Sequence, residues 1–155
     1  QPRSRGLGDV YKRQDGRSWK DVLSLADVVH DSKNLAASIS SGSFKAKAMV
    51  VIPCSGTTLG KLAAGISDNL VTRSALVMLK ENRPLILVPR ETPLNTIYIE
   101  NMLKLSKAGA LMVPASPAFY NKPKTLDDNI NFIVGRVLDL LGYDSDIFSR
   151  WEGTE

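Results

Sequence analysis

The chain is poor in the residues that most often advertise chemistry. It carries one cysteine, Cys54, and one histidine, His30. A single cysteine excludes an internal disulfide framework, and one histidine beside it is too little for a dedicated Cys/His zinc site. No apolar run approaches the roughly 18 residues that cross a bilayer, so no membrane span is expected. Neither G-x-G-x-x-G nor G-x-x-x-x-G-K-[ST] occurs, which leaves a dinucleotide fingerprint or a P-loop without support. No nucleophile–base–orienter set is visible, and this argues against triad hydrolysis. Charge of one sign is scarce too: 20 Lys and Arg face 16 Asp and Glu, for a net charge of +4. Most of that excess sits in residues 1–14, where Arg3, Arg5, Lys12 and Arg13 meet Asp9 alone. With basic–aromatic interleaving absent as well, nucleic-acid binding is not expected.

What remains is an ordinary soluble composition, 43% hydrophobic and 23% charged over 155 residues, enough for one domain. Residues 1–14 have no starting Met, no apolar h-region and no helix or strand period. They read as a non-native N-terminal scar and are set apart, leaving 15–155 as a single domain. Three unbroken apolar runs follow: Ala48–Pro53, Pro84–Pro89 and Ala110–Pro114. Continuous apolar runs mark strands buried on both faces of a parallel sheet. Helical segments fall between them, over Asp68–Glu81 and Thr96–Ala108, and the alternation predicts an α/β layer fold. The last helix is the best marked. Ile130, Ile133, Val134, Val137, Leu138 and Leu141 form one stripe, Thr125 with Asp128 provides a cap, and Gly142 fits the C′ position. Each run ends in proline, which predicts that pairing stops there and that the loops emerge at the carboxyl edge, where open α/β sheets bind ligands. A three-stranded sheet is small, so an opening βα unit or two is expected to be lacking, roughly 30 to 60 residues. An amphipathic patch covers Val22–Val29.

Several polar residues stand out against this frame. Arg73 and Lys80 lie seven apart on a mostly apolar helix, either snorkelling to solvent or facing a carboxylate or phosphate at the sheet edge. Ser55-Gly56-Thr57-Thr58 opens a helix, either as ordinary capping or as an anion site of hydroxyls and backbone N–H groups. Arg90-Glu91 follows the second run, as a surface pair or as an anion clamp with a proton-transfer carboxylate. Tyr120 either packs its loop or meets a phosphate. Arg136 lies well off the apolar stripe of its helix. Cys54 and His30 read as packing or surface residues.

In combination, Met49-Val50-Val51-Ile52-Pro53-Cys54-Ser55, Asn69-Leu70 with Thr72-Arg73, Leu79-Lys80-Glu81 with Arg83-Pro84, Leu87-Val88-Pro89-Arg90-Glu91-Thr92-Pro93, Glu100–Leu105 and Pro117-Ala118-Phe119-Tyr120 resemble the flavin prenyltransferases of the UbiX type. The resemblance runs from about His30 to Trp151. It implies a three-layer flavodoxin-like or Rossmann-like parallel sheet lacking its opening unit, in a cytoplasmic homo-dodecamer. It implies transfer of a dimethylallyl group from dimethylallyl monophosphate to reduced FMN, at N5 and C6. The prenylated product would serve a partner decarboxylase, in many bacteria on the ubiquinone pathway, and no metal would take part. By position, Ser55, Gly56, Thr57, Thr58 and Arg90 fall on the FMN contacts, with Arg73 also counted there. Lys80, Tyr120, Arg136 and Arg73 fall on residues that hold the prenyl phosphate. Glu91 falls on the acidic residue beside the reacting flavin and, with Lys80 and Arg90, makes up the catalytic set. The family's Gly-Ala-Ser-Gly turn is absent, so weak FMN binding by this polypeptide is expected. The alternatives are an FMN-dependent cysteine decarboxylase, for which His30 is poorly placed as a base, or an inactive oligomerising or FMN-binding module.

Overall fold

The computed structural model describes residues 18–150 and Gly153, so the stretch 1–14 set apart above lies outside the described residues. The chain divides into two compact units, Gln1–Asp31 and Ser32–Glu155. Within the first, α1 (Trp19–Leu23) starts at a capping box in which the Asp21 carboxylate accepts from Ser18 N at 3.0 Å. Leu25, Val28 and Val29 beyond it are exposed, so only the first part of the expected amphipathic patch is helical.

The second unit contains a parallel sheet of β1 (Met49–Cys54), β2 (Leu85–Pro89) and β3 (Leu111–Met112), in the order β1-β2-β3. Met49 pairs with Leu85 and Val51 with Leu87, and Ile86 pairs with Leu111. Two helices, α2 (Gly56–Ala63) and α3 (Leu70–Lys80), join β1 to β2; α4 (Thr96–Lys107) joins β2 to β3; α5 (Leu126–Leu140) follows β3. Every residue of β2 is buried, as an unalternating apolar strand in the centre of a sheet must be. Its side chains divide by parity. Leu85 and Leu87 pack with Leu59, Leu62, Met78 and Leu105 of the three connecting helices, whereas Ile86 and Val88 meet Val137 of α5 with Ile133 and Leu141 beside it. The three-layer architecture follows from that parity, each buried aliphatic contributing about 1.5–3 kcal/mol.

Short polar side chains define where the helices begin. Ser55, Asn69, Asn95 and Thr125 cap α2, α3, α4 and α5, each accepting from a backbone N–H three residues on; such caps are worth about 1 kcal/mol each. The expected Thr125–Asp128 arrangement is a full capping box, and Gly142 takes the left-handed conformation (φ 77°) after α5. Asn82 does the same after α3 at φ 51°, so that helix ends one residue earlier than its apolar pattern suggests.

Three expectations need correction. Pairing does not stop at Pro53: β1 continues to Cys54, opposite Pro89, across an irregularity between Val51 and Cys54 that accommodates the missing N–H. Nor does it stop at Pro114, because Ala115 N donates to Pro89 O at 2.9 Å. The α5 stripe is less covered than its spacing suggests, with Ile130 49% exposed. Among the described residues no helix is long and apolar enough to cross a membrane.

Candidate ligand site

The carboxyl edge of the sheet brings the first group together. Ser55 Oγ accepts from Thr58 N at 3.2 Å and lies 3.0 Å from Thr58 Oγ1, so both hydroxyls sit at the start of α2. Gly56 is required by its neighbour: a Cβ there would stand 2.6 Å from Tyr98 Cε2 and 2.7 Å from its hydroxyl. Arg90 and Glu91 leave the end of β2 exposed, and Thr92 N donates to Glu91 Oε1 at 3.2 Å. Tyr98 links the two loops. Burial pushes its phenol upward, the charges of Glu91 and Cys54 add to that, and Arg90 opposes it. Its hydroxyl is buried without a hydrogen-bond partner. Sequence reasoning missed this residue, although Tyr98, Met102 and Leu105 share the helical spacing that turns them all to the core.

A second group surrounds the segment 38–44. Arg73 Nε donates to Ser40 O at 3.0 Å, and Arg83 donates to Phe44 O at 2.6 Å and Gly42 O at 2.8 Å. Lys80 Nζ lies 2.9 Å from Glu81 Oε1, and Arg83 approaches the other oxygen at 3.8 Å. The hydrogen bond from Lys80 holds the Glu81 carboxyl below its usual range. Arg73 and Lys80 are both exposed, so the snorkelling reading accounts for their cost-free place on α3. Lys80 does meet a carboxylate, but at the opposite edge from the one expected. The last turn of α3 leads into the start of β2, where Met49 N donates to Pro84 O. Ser55 and Arg90 lie beyond the other end of that strand, about 16 Å along it.

The third group gathers on α5. Tyr120 meets Phe132 edge to face at 6.5 Å between centroids, and Phe132 meets Phe148 the same way at 5.6 Å. Arg136 is exposed, off the core as its spacing predicts, and donates to Asp139 Oδ2 at 3.0 Å. A cavity of about 470 Å³ opens beside Phe132, lined also by Ala118, Asn121 and Phe148. His30 belongs to the first unit. Among the described residues no three His, Cys, Asp or Glu side chains are grouped to hold a metal.

A parallel sheet between helical layers, with a capped helix start, a guanidinium and a carboxylate on its carboxyl edge, defines a three-layer α/β protein. Comparison with known proteins narrows the class. The flavoprotein family profile matches residues 7–138, beginning inside the stretch 1–14. The flavin prenyltransferase UbiX of Methanocaldococcus jannaschii is 49% identical over 142 residues, covering 92% of this chain and 77% of that one. Among solved structures, AnUbiX (PadA1) in complex with FMN and dimethylallyl pyrophosphate superposes with a TM-score of 0.92 at 46% identity, over 96% of this chain and 79% of that one. A dodecameric FMN-dependent UbiX-like decarboxylase from Escherichia coli O157:H7 gives 0.91 at 50% identity, over 94% and 79%. The chain belongs to the flavoprotein family, in its flavin prenyltransferase branch.

Proposed function

We propose that this enzyme transfers a dimethylallyl group from dimethylallyl monophosphate to reduced FMN, and that the prenylated flavin is the cofactor of a partner decarboxylase. The observation that most supports the reading is the carboxyl-edge group, in which Tyr98 lies between the Ser55–Thr58 turn and Arg90-Glu91. The donor set suits FMN: Gly56 presents bare backbone, Ser55, Thr57 and Thr58 offer hydroxyls at a helix start, and Arg90 offers an exposed guanidinium. Arg73 adds a second cation to that role. Reduced FMN, as acceptor, supplies the nucleophilic ring positions to which the prenyl carbon is joined.

The chain's own residues act on the other reactant and on protons. As the prenyl C–O bond breaks, the electron pair leaves with phosphate, and Lys80, Arg136 and the Tyr120 hydroxyl stabilise the charge that develops there. One such preorganised donor is worth about 3 kcal/mol of barrier. The exposed Glu91 carboxylate takes up the proton displaced from the reacting ring carbon, the prenyl double bond gains one proton as its other end joins the ring, and the N5 proton leaves with the phosphate.

Lys80 stands at one end of β2 and Ser55 and Arg90 at the other, so a site that uses all of them draws them from more than one copy of the chain. Ile97, Ile99 and Leu103 expose 70%, 50% and 53% of their surface on α4, apolar area suited to such an assembly. A homo-oligomer, and specifically a dodecamer, is part of the proposal. The experiment is an anaerobic incubation with reduced FMN and either dimethylallyl monophosphate or dimethylallyl pyrophosphate, followed by mass spectrometry. The expected flavin is heavier by one five-carbon prenyl unit, with one phosphate released per flavin from the monophosphate. Unchanged flavin with both donors overturns the reading.

A further inference from the structure

We propose that Arg150 is a positioning residue for the prenyl-phosphate site: it takes both oxygens of Asp139, holding Arg136 to a single contact there and leaving the rest of that guanidinium open to an anion. The inference rests on the reading that Arg136 holds the donor's phosphate. Asp139 stands between two arginines, and they share it unequally. Arg150 grips both oxygens, with NH2 at 2.7 Å from Oδ1 and NH1 at 3.1 Å from Oδ2. Arg136 reaches only Oδ2, through a single nitrogen at 3.0 Å. A bidentate guanidinium is the stronger and better oriented partner. Consistent with that division, the hydrogen bond from Arg150 is the foremost cause that holds Asp139 below the usual carboxylate range, and Arg136 comes last.

The wider surroundings sharpen the need for such a residue. Asp144 and Asp146 also act on Arg150. Without Arg150, the C-terminal end of α5 would set Arg136 against an Asp139 carboxylate with no other partner, a poor place to receive a phosphate. The segment that carries Arg150 is itself fastened across α5. The Phe148 ring lies where a Cβ on Gly135 would be, Arg150 stands 5.1 Å over that ring, and Asn121 donates to Ser149 O at 3.0 Å. Through Phe132 the same segment touches Tyr120, the other residue assigned to the phosphate. Freeing Arg136 and bracing the Tyr120 loop are therefore separate consequences of one side chain, and they respond differently to mutation.

Calorimetric titration of the full chain with dimethylallyl monophosphate tests the proposal on three variants. Arg150→Gln is expected to weaken binding about fivefold, the upper range for an exposed ion pair. Adding Asp139→Asn to Arg150→Gln is expected to restore affinity to within about twofold of the parent, because no carboxylate at 139 then competes for Arg136. Arg150 is half exposed and both changes preserve shape, so thermal melts of these variants are expected to remain cooperative. Unchanged affinity in Arg150→Gln overturns the inference. So does a double variant that stays as weak as Arg150→Gln, since that assigns the effect to bracing alone. Arg136→Gln separates this from the underlying reading: if it binds like the parent, or the parent takes up no donor, the phosphate role of Arg136 fails.

Discussion

Cys54 offers a test in which the burial of the last residue of β1 is read as a pH dependence. Its side chain is 1% exposed at the end of β1, and burial pushes the thiol from an ordinary 9.0 up to about 11. A thiol is neutral when protonated, so the folded protein retains a proton that the unfolded chain gives up. Stability from this group is thus intact below pH 9, falls as pH rises from 9, and is mostly lost by 11, the remainder going above it. A hundredfold difference in proton affinity bounds the loss at about 3 kcal/mol, of which about 2 kcal/mol falls by pH 11. Urea unfolding from pH 8 to 11 would be measured on the parent and on Cys54→Ala. The cavity left by the substitution is independent of pH, and groups that do not feel Cys54 titrate alike in both proteins, so the difference between the curves reports the thiol together with its coupling to Tyr98. It is expected to be constant to pH 9 and then to shrink by that amount in favour of the variant. A difference that stays flat to pH 11 would refute the burial of Cys54 as the cause.

Three further substitutions test the frame and the site. Leu59→Ala removes a side chain with 0% exposure from the larger core, and chemical denaturation should show a loss of about 2–5 kcal/mol. Gly56→Ala forces a Cβ onto the Tyr98 ring and should destabilise by about 1–3 kcal/mol; adding Tyr98→Ala should make the pair less harmful than the sum of the two, and strict additivity would deny the contact. In an FMN fluorescence titration, Arg90→Gln should weaken binding about tenfold relative to the parent through loss of a charge-assisted contact, and equal affinity would remove Arg90 from the flavin site.

The sequence made the layers legible because their signals are local. Three unalternating apolar runs became the strands, and Ser55 and Thr125 were readable as caps since a cap acts within three residues. The detours at Pro53 and Pro114 were not readable: whether a missing N–H ends a ladder depends on what lies opposite, here Pro89 in both cases. The site divides the same way. Ser55, Arg90 and Glu91 were legible from the rule that ligands gather at carboxyl edges. The anchoring of Arg73 and Arg83 to carbonyls more than thirty residues away leaves no trace in local spacing. Tyr98 and Arg150 were missed for a related reason, since each matters through one side chain set beside another by the fold.

The central claim is that Lys80 at one end of β2 and the Ser55–Arg90 group at the other serve a single reaction, which requires copies to share sites. Co-expression of Lys80→Ala and Arg90→Ala chains, purified through a different tag on each, tests it most directly. Each variant alone should be nearly inactive in prenylating reduced FMN, while the mixed assembly should regain activity, because some of its sites combine an intact Lys80 with an intact Arg90. Mixed assemblies no more active than either single variant would contradict the account.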